Sequence, residues 1–329
     1  MPRALPWIGL AALAAVPLTG LGNYPLHMLI QVLLWGFVYT GWSIMGRLGL
    51  VSFGHGAFLG IGAYVVVMLW NGYGLSPWIG LPIALVFTAV VAFLIGYPCF
   101  RFKIVGHYFA LVTLALSEIA RLLIVALRDH TGGSLGVTPK TALTEASYSL
   151  VALQFSNKIV WFYIVLVIWL AGLWVWKKVD GSMARLALEA ISQEEDAAGA
   201  IGINVTRLKL AVTMVSALIT CVGGAVYAQY QAYVNPDTVS GIGISLQMVF
   251  GVIAGGMYVR LGPTVGAAFT LLLAESLRLM FGNSLHALDS TIYGLMLVLF
   301  IIFMPKGILG GALEAMHRRT SAPAGAQRA

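Results

Sequence analysis

The sequence predicts an all-α polytopic membrane protein with about ten membrane-crossing helices. Three observations carry that prediction. Of the 329 residues, 60% are hydrophobic and only 9% charged, whereas a soluble domain is nearer to about a quarter charged. Apolar runs close to the length needed to cross a hydrocarbon core recur along the whole chain. Lysine and arginine then fall almost entirely on one side of the helices those runs would form, as expected if basic loops resist translocation.

The runs lie near 6–21, 26–46, 50–70, 76–98, 106–127, 159–176, 208–230, 241–259, 262–282 and 289–304. The first and last are short. The first follows Arg3 as the apolar core of a signal peptide would, but no small-x-small cleavage site with a polar mature domain follows, so a retained helix is expected. The third and eighth are rich in glycine and are expected to be broken or re-entrant. With the N-terminus inside and every run crossing, Arg121 and Arg278 lie within helices. Arg128, Lys140 and Lys158 fall outside, and all others of the 19 basic residues fall inside. A single miscounted crossing would spoil that segregation. Both termini are therefore expected in the cytoplasm. Residues 1–311 form one membrane domain, with a long outer loop at 128–158 and a long inner loop at 177–207. The tail, 312–329, is polar and small and is expected to be disordered.

Composition also excludes functions. The net charge of +7 does not gather into a basic face, so no nucleic-acid partner is expected. Cys99 and Cys221 sit in or beside apolar runs and read as buried small residues, without metal-ligand spacing. There is no phosphate-binding G-x-x-x-x-G-K-[ST] loop, no H-E-x-x-H and no G-x-S-x-G elbow. Enzymatic activity, metals and cofactors in this chain are accordingly not expected.

The inner loop mixes strong helix formers with apolar and acidic residues. Arg185 and Glu189, four apart, can pair on one helix face. Ala197, Ala198, Gly199, Ala200 and Gly202 give a low-relief patch that another surface could approach closely. A solvated linker helix and a docking helix for a soluble partner both fit.

Here the residues carry a family resemblance. "DAAGAIG" (196–202) resembles the acidic-Ala-Ala-x-x-x-Gly core of the cytoplasmic loop in bacterial ABC importer permeases, with Asp196 where glutamate is usual and without the motif's Ile-x-Leu-Pro tail. "GRLGLVSFGHGAFLGIGAY" (46–64), "GHYFALVTLALSEIARLL" (106–123), "TGGSLGVT" (131–138) and "LVLFIIFMPKGILG" (297–310) are similar to the branched-chain amino-acid branch, in the expected order and over most of the chain. The M-type permease is the nearer of that branch's two types.

The resemblance implies a type II ABC importer-like permease in the bacterial inner membrane. It implies a second, H-type permease, two cytoplasmic ATPases that bind ATP and Mg, and a periplasmic amino-acid-binding protein. The pathway would lie between the permeases and work by alternating access, for branched-chain or other hydrophobic amino acids. Urea or short amides are the alternative cargo. A stand-alone ion-coupled transporter is an alternative class, which would want a free carboxylate near mid-membrane. Carried over, Glu189, Glu195, Asp196, Ala197, Ala198 and Gly202 are the ATPase-docking residues.

Other residues stand out without the resemblance. Glu118 with Arg121, and Glu275 with Arg278, repeat Glu-x-x-Arg within apolar runs. Charges at that depth should be paired or face protein or water. A local ion pair, a permease–permease contact, or a role at the outer mouth would each satisfy this. Gly56-x-x-x-Gly60 has the small-x-x-x-small spacing of close helix packing. Gly54 and its neighbours permit a break in the helix beside the pathway, and His55 reads as a hydrogen-bonding strut there.

Overall fold

A computed structural model of the chain describes residues 5–20, 22–142, 148–281 and 307–320, with scattered positions between 291 and 303. Its helices are α1 (Leu5–Ala15), α2 (Asn23–Gly46), α3 (His55–Tyr73), α4 (Pro77–Arg101), α5 (Gly106–Ala126), α6 (Arg128–Thr131), α7 (Lys158–Asp180), α8 (Met183–Gln193), α9 (Glu195–Ala200), α10 (Val205–Gln231), α11 (Pro236–Val239), α12 (Ile242–Gly255) and α13 (Gly262–Phe281). A final helix, α14, spans Gly307–Thr320. The described strands are two short ones, β1 (Tyr148–Ser149) and β2 (Gln154–Phe155), paired antiparallel.

The all-α membrane architecture stands. Among the described residues, seven helical stretches are long and apolar enough to cross a membrane: α2 to α5, α7, α10, and α11 with α12 taken together. The count of ten is not confirmed among the described residues. The first run forms only an 11-residue α-helix before a 3-10 turn at Val16–Thr19, where Pro17 interrupts it. The ninth, α13, has 20 residues and reaches the edge of the described residues at Phe281. The tenth, 289–304, falls mostly outside the described residues.

Helix ends follow local chemistry. Gly74 closes α3 in the left-handed region, its N–H reaching the Trp70 carbonyl at 3.0 Å while the Leu75 N–H returns to the Leu69 carbonyl at 3.2 Å. Ser76 caps α4 by accepting from the Trp78 amide. Arg101 and Lys177 lie in the last turns of α4 and α7, Arg47 follows α2, and Arg207 lies in the first turn of α10. These mark the basic end of the bundle. Arg128, Lys140 and Lys158 lie at the opposite end, where the Lys158 ammonium donates to the Asn23 carbonyl at 3.3 Å.

The core is centred on α2, which packs on α7, α10 and α13, while α10 also packs on α3 and α4. Trp42, Tyr39, Phe109 and Phe162 are among the largest side chains wholly buried there. Close crossings depend on glycine. A Cβ at Gly62 would run into the Cys221 carbonyl, and one at Gly224 into the Leu59 carbonyl, so α3 and α10 touch backbone to backbone.

Two expectations about irregular segments change. Order continues past Gly311 to Thr320, because Leu313, Glu314, Ala315 and Met316 are strong helix formers; the remainder of the tail lies outside the described residues. The third run does not start at residue 50. The chain turns at 47–49, with Gly49 at φ +72°, runs irregularly through 50–54 and becomes helical only at His55.

Candidate functional site: a broken helix and a basic-end segment

The irregular stretch at 50–54 is partly enclosed by protein: Leu50, Ser52 and Gly54 are buried, while Val51 is exposed. Such backbone is tolerated at membrane depth only where its polar groups are satisfied, and several of the partners here can be named. The Phe53 amide donates to Thr113 Oγ1 of α5 at 3.1 Å, and the Gly54 amide to Ser52 Oγ at 3.2 Å. The Ser52 carbonyl accepts from Trp42 Nε1 of α2 at 2.8 Å. The Gly56 amide, free of any helical partner in the first turn of α3, donates to Ser245 Oγ of α12 at 3.0 Å. Thr113 lies seven residues into α5, roughly 10 Å along its axis, so this junction sits well inside the bundle.

A second break meets the first. Between α11 and α12, Gly241 adopts φ +88°. Its carbonyl accepts from Ser117 Oγ at 2.9 Å, and Ser117 and Ser245 lie 3.1 Å apart. Gly56 and Gly60 face this break: a Cβ at Gly56 would stand 2.7 Å from the Gly241 carbonyl oxygen, and one at Gly60 would stand 3.0 Å from Ser240 Cβ. The two helix starts are therefore joined by a seam of glycine and serine. A side chain larger than hydrogen at Gly56 would wedge it open.

His55 is wholly buried at the foot of this seam. Its Nε2 lies 2.7 Å from Ser216 Oγ, whose own proton goes to the Gly41 carbonyl at 2.6 Å. Ser216 therefore accepts, and His55 Nε2 carries the hydrogen. The ring sits beside Trp42 and Phe58. This ties α3 to α10 and α2. No carboxylate among the described residues bonds to it.

The charges expected within the membrane fall into two groups. Arg121 Nε donates to Glu118 Oε1 at 2.9 Å, and Arg121 Nη1 reaches Asp237 of α11 at 3.3 Å. The Arg121 stem also lies against Gly241, so this cluster abuts the seam on the side away from the basic end. Glu275 lies 3.9 Å from Arg278 and accepts a 2.6 Å hydrogen bond from Tyr24 of α2. The outer loop is held to the same end: Val137 and Val234 exchange backbone hydrogen bonds, and Gly132, Gly133 and Gly136 all take positive φ.

At the basic end the segment read as a docking loop folds as α8 and α9. Arg185 pairs with Glu189 at 3.0 Å. Glu195 pairs with Lys209 of α10, and Asp196 with Lys103, between α4 and α5, at 2.6 Å. That contact pushes the Lys103 ammonium up and holds the Asp196 carboxyl below its usual range. Ala197, Gly199, Ala200 and Gly202 are exposed, as are Met183, Leu186 and Ile201. Ala198 is only 2% exposed, so within the chain it is a packing residue rather than part of the open surface. Beside α8 lies a cavity of about 250 Å³ lined by Arg47, Arg185, Leu188, Glu189, Ser192 and Tyr258, among others.

Sequence reasoning did not single out Thr113, Ser117, Ser216, Ser245, Asp237, Lys103 or Lys209. The hydroxyl residues carried one usable signal, polar groups inside apolar runs, but nothing in their spacing says that they meet.

Comparison with known proteins gives a consistent result. The family described as branched-chain amino acid transport system / permease component matches residues 24–302. The chain is 29% identical over 302 residues to the high-affinity branched-chain amino acid transport system permease protein LivM of Escherichia coli, covering 86% of this chain and 69% of that protein. It is 28% identical to LivM of Salmonella typhimurium, covering 81% of this chain and 65% of that protein, so about a third of each relative has no counterpart here. It is also 24% identical to a probable branched-chain amino acid transport permease protein LivH of Methanocaldococcus jannaschii, covering 86% of this chain and 93% of that one. No solved structure matches.

Proposed function

The chain belongs to the branched-chain amino acid transport system permease family, and from that premise we propose that it is the M-type membrane subunit of an ATP-driven importer for branched-chain or other hydrophobic amino acids. ATP and Mg belong to two partner ATPases at the basic end, which faces the cytoplasm of a bacterial inner membrane. A periplasmic amino-acid-binding protein delivers cargo at the opposite end. An H-type permease, related to the LivH that this chain also resembles, completes the pathway.

One observation carries this reading: the exposed surface of α8 and α9. Met183, Leu186 and Ile201 are large apolar side chains on a segment outside the spanning helices, next to Ala197, Gly199 and Ala200. Apolar anchors beside small residues suit a partner that approaches closely. The broken helix supports the mechanism. Its hydrogen bonds link α2, α5, α10 and α12, so a shift at the basic end can reach the seam without unfolding any helix. Rearrangement of that seam would alternate access between the two faces.

The test replaces Gly199 with arginine. A Cβ there meets nothing within 4 Å, so the fold has room for the new side chain. Gly199→Arg is expected to abolish co-purification of the ATPases and ATP-driven uptake in vesicles while leaving insertion unchanged. Undiminished co-purification would remove this surface as the docking site. Uptake on an ion gradient alone, without ATP, would overturn the importer reading itself.

A further inference from the structure

The two acidic residues that open α9 make different kinds of bond. Glu195 pairs with Lys209, whose side chain is 2% exposed and whose ammonium lies 5.7 Å from the centre of the Phe100 ring. Removing one partner of a buried pair leaves a charge without compensation, so this contact persists. Asp196 pairs with Lys103 in a contact exposed on both sides, 69% and 75%. Exposed pairs are weak, screened by salt and easily opened.

Lys103 has an unusual backbone. It sits at φ +53°, a region uncommon for residues other than glycine. It follows α4 as the left-handed residue of a helix cap, the Ile104 amide returning to the Cys99 carbonyl at 2.8 Å. That turn aims the lysine at α9 from the short link into α5. α5 in turn carries Thr113 and Ser117, which hold the two helix breaks. Asp196 is thus tied through Lys103 to the element that closes the seam, and Glu195 to α10 in the core.

We propose that α9 is hinged on Lys209 through Glu195 and latched to the α4–α5 link through Asp196 and Lys103, and that the latch must open in each transport cycle. The inference rests on the reading of α8 and α9 as the ATPase-docking segment. It makes Asp196 a positioning residue rather than a contact to the partner.

The assembled importer in proteoliposomes provides the test. Lys103→Cys and Asp196→Cys are combined, and a short bis-maleimide joins the two thiols. Native Cys99 and Cys221 are both buried, and each single-cysteine variant treated with the same reagent is the control. The joined protein is expected to retain its ATPases and to lose uptake relative to the same double variant before joining, while the reagent leaves the uptake of each single-cysteine variant at that variant's own untreated rate. Uptake in the joined protein at the unjoined rate would overturn the latch. Loss of the ATPases from Asp196→Cys before joining would make Asp196 a partner contact and overturn it as well. A second pair of variants reads the same contact without a reagent. Lys103→Glu and Asp196→Lys are each expected to hydrolyse ATP with reduced uptake, and the combined exchange to recover coupling; no recovery would overturn the pairing. If the unmodified importer shows no ATP-driven uptake, the docking reading fails and takes the latch with it.

Discussion

Gly56→Ala tests the seam most directly. The added Cβ would stand 2.7 Å from the Gly241 carbonyl oxygen, 2.7 Å from Ser117 Oγ and 2.8 Å from Ser245 Oγ. An ordinary carbon–oxygen contact needs about 3.3 Å, so the shortfall is about 0.6 Å on three sides. The hydroxyls could rotate, but both are committed to hydrogen bonds across the seam. The carbonyl is backbone and moves only with α12. Overpacking of this kind costs about 1–3 kcal/mol, and one lost buried hydrogen bond adds about 1 kcal/mol. The gain in helix propensity, at most about 1 kcal/mol, offsets part of it. A net loss of about 2 kcal/mol is expected, a Tm decrease of about 3 °C for a chain of this size. Thermal unfolding in detergent, followed by tryptophan fluorescence, measures it. Gly72→Ala is the control. Gly72 is exposed near the end of α3 and a Cβ there meets nothing within 4 Å, so the same exchange should be neutral or slightly stabilising. Equal Tm values for the two variants would refute the argument that the helix starts are in contact through Gly56.

Further outcomes follow from the same geometry. Ser245→Ala removes the acceptor of the Gly56 amide and should cost about 1–3 kcal/mol in the same unfolding assay, because the amide is then buried unpaired. Lys209→Met should destabilise by about 3 kcal/mol, and Lys209→Met with Glu195→Leu should recover most of it, since an apolar pair can replace a buried ionic one; equal stability of the single and double variants would contradict the pairing. His55→Gln should lower Tm yet leave uptake per folded molecule unchanged, as befits a strut bonded to Ser216; lost uptake at unchanged Tm would instead give His55 a part in transport.

The legible and illegible parts of this protein separate by the range of the signal. Spanning helices were readable because apolar runs and the placement of Arg47, Arg101 and Lys177 are local patterns. The break before His55 was readable as a possibility from Gly49, Gly54 and Gly56, since clustered glycines weaken a helix wherever they occur. Its start and its partners were not. Thr113, Ser117, Ser216 and Ser245 come from three other helices, and each alone resembles an ordinary hydroxyl in an apolar run. The burial of Ala198 was not legible for a related reason. Among small neighbours it reads as surface, and only the packing of α9 shows it facing inward. Nor does the sequence say which cations Glu195 and Asp196 meet, because Lys209 and Lys103 are both distant along the chain.

The unequal enclosure of the helices bears on how this sequence can change. In α2, 83% of the most apolar window is buried within the chain, against 28% in α4. Almost every position of α2 therefore answers to a specific neighbour, and an exchange there asks a second residue to adjust. Ile83, Val86, Phe87 and Val90 of α4 face outward and answer to no specific neighbour within the chain. Random substitution, followed by selection for a folded chain, should accumulate on α4 and leave α2 nearly untouched. A library built for engineering has its freedom on the former and its failures on the latter.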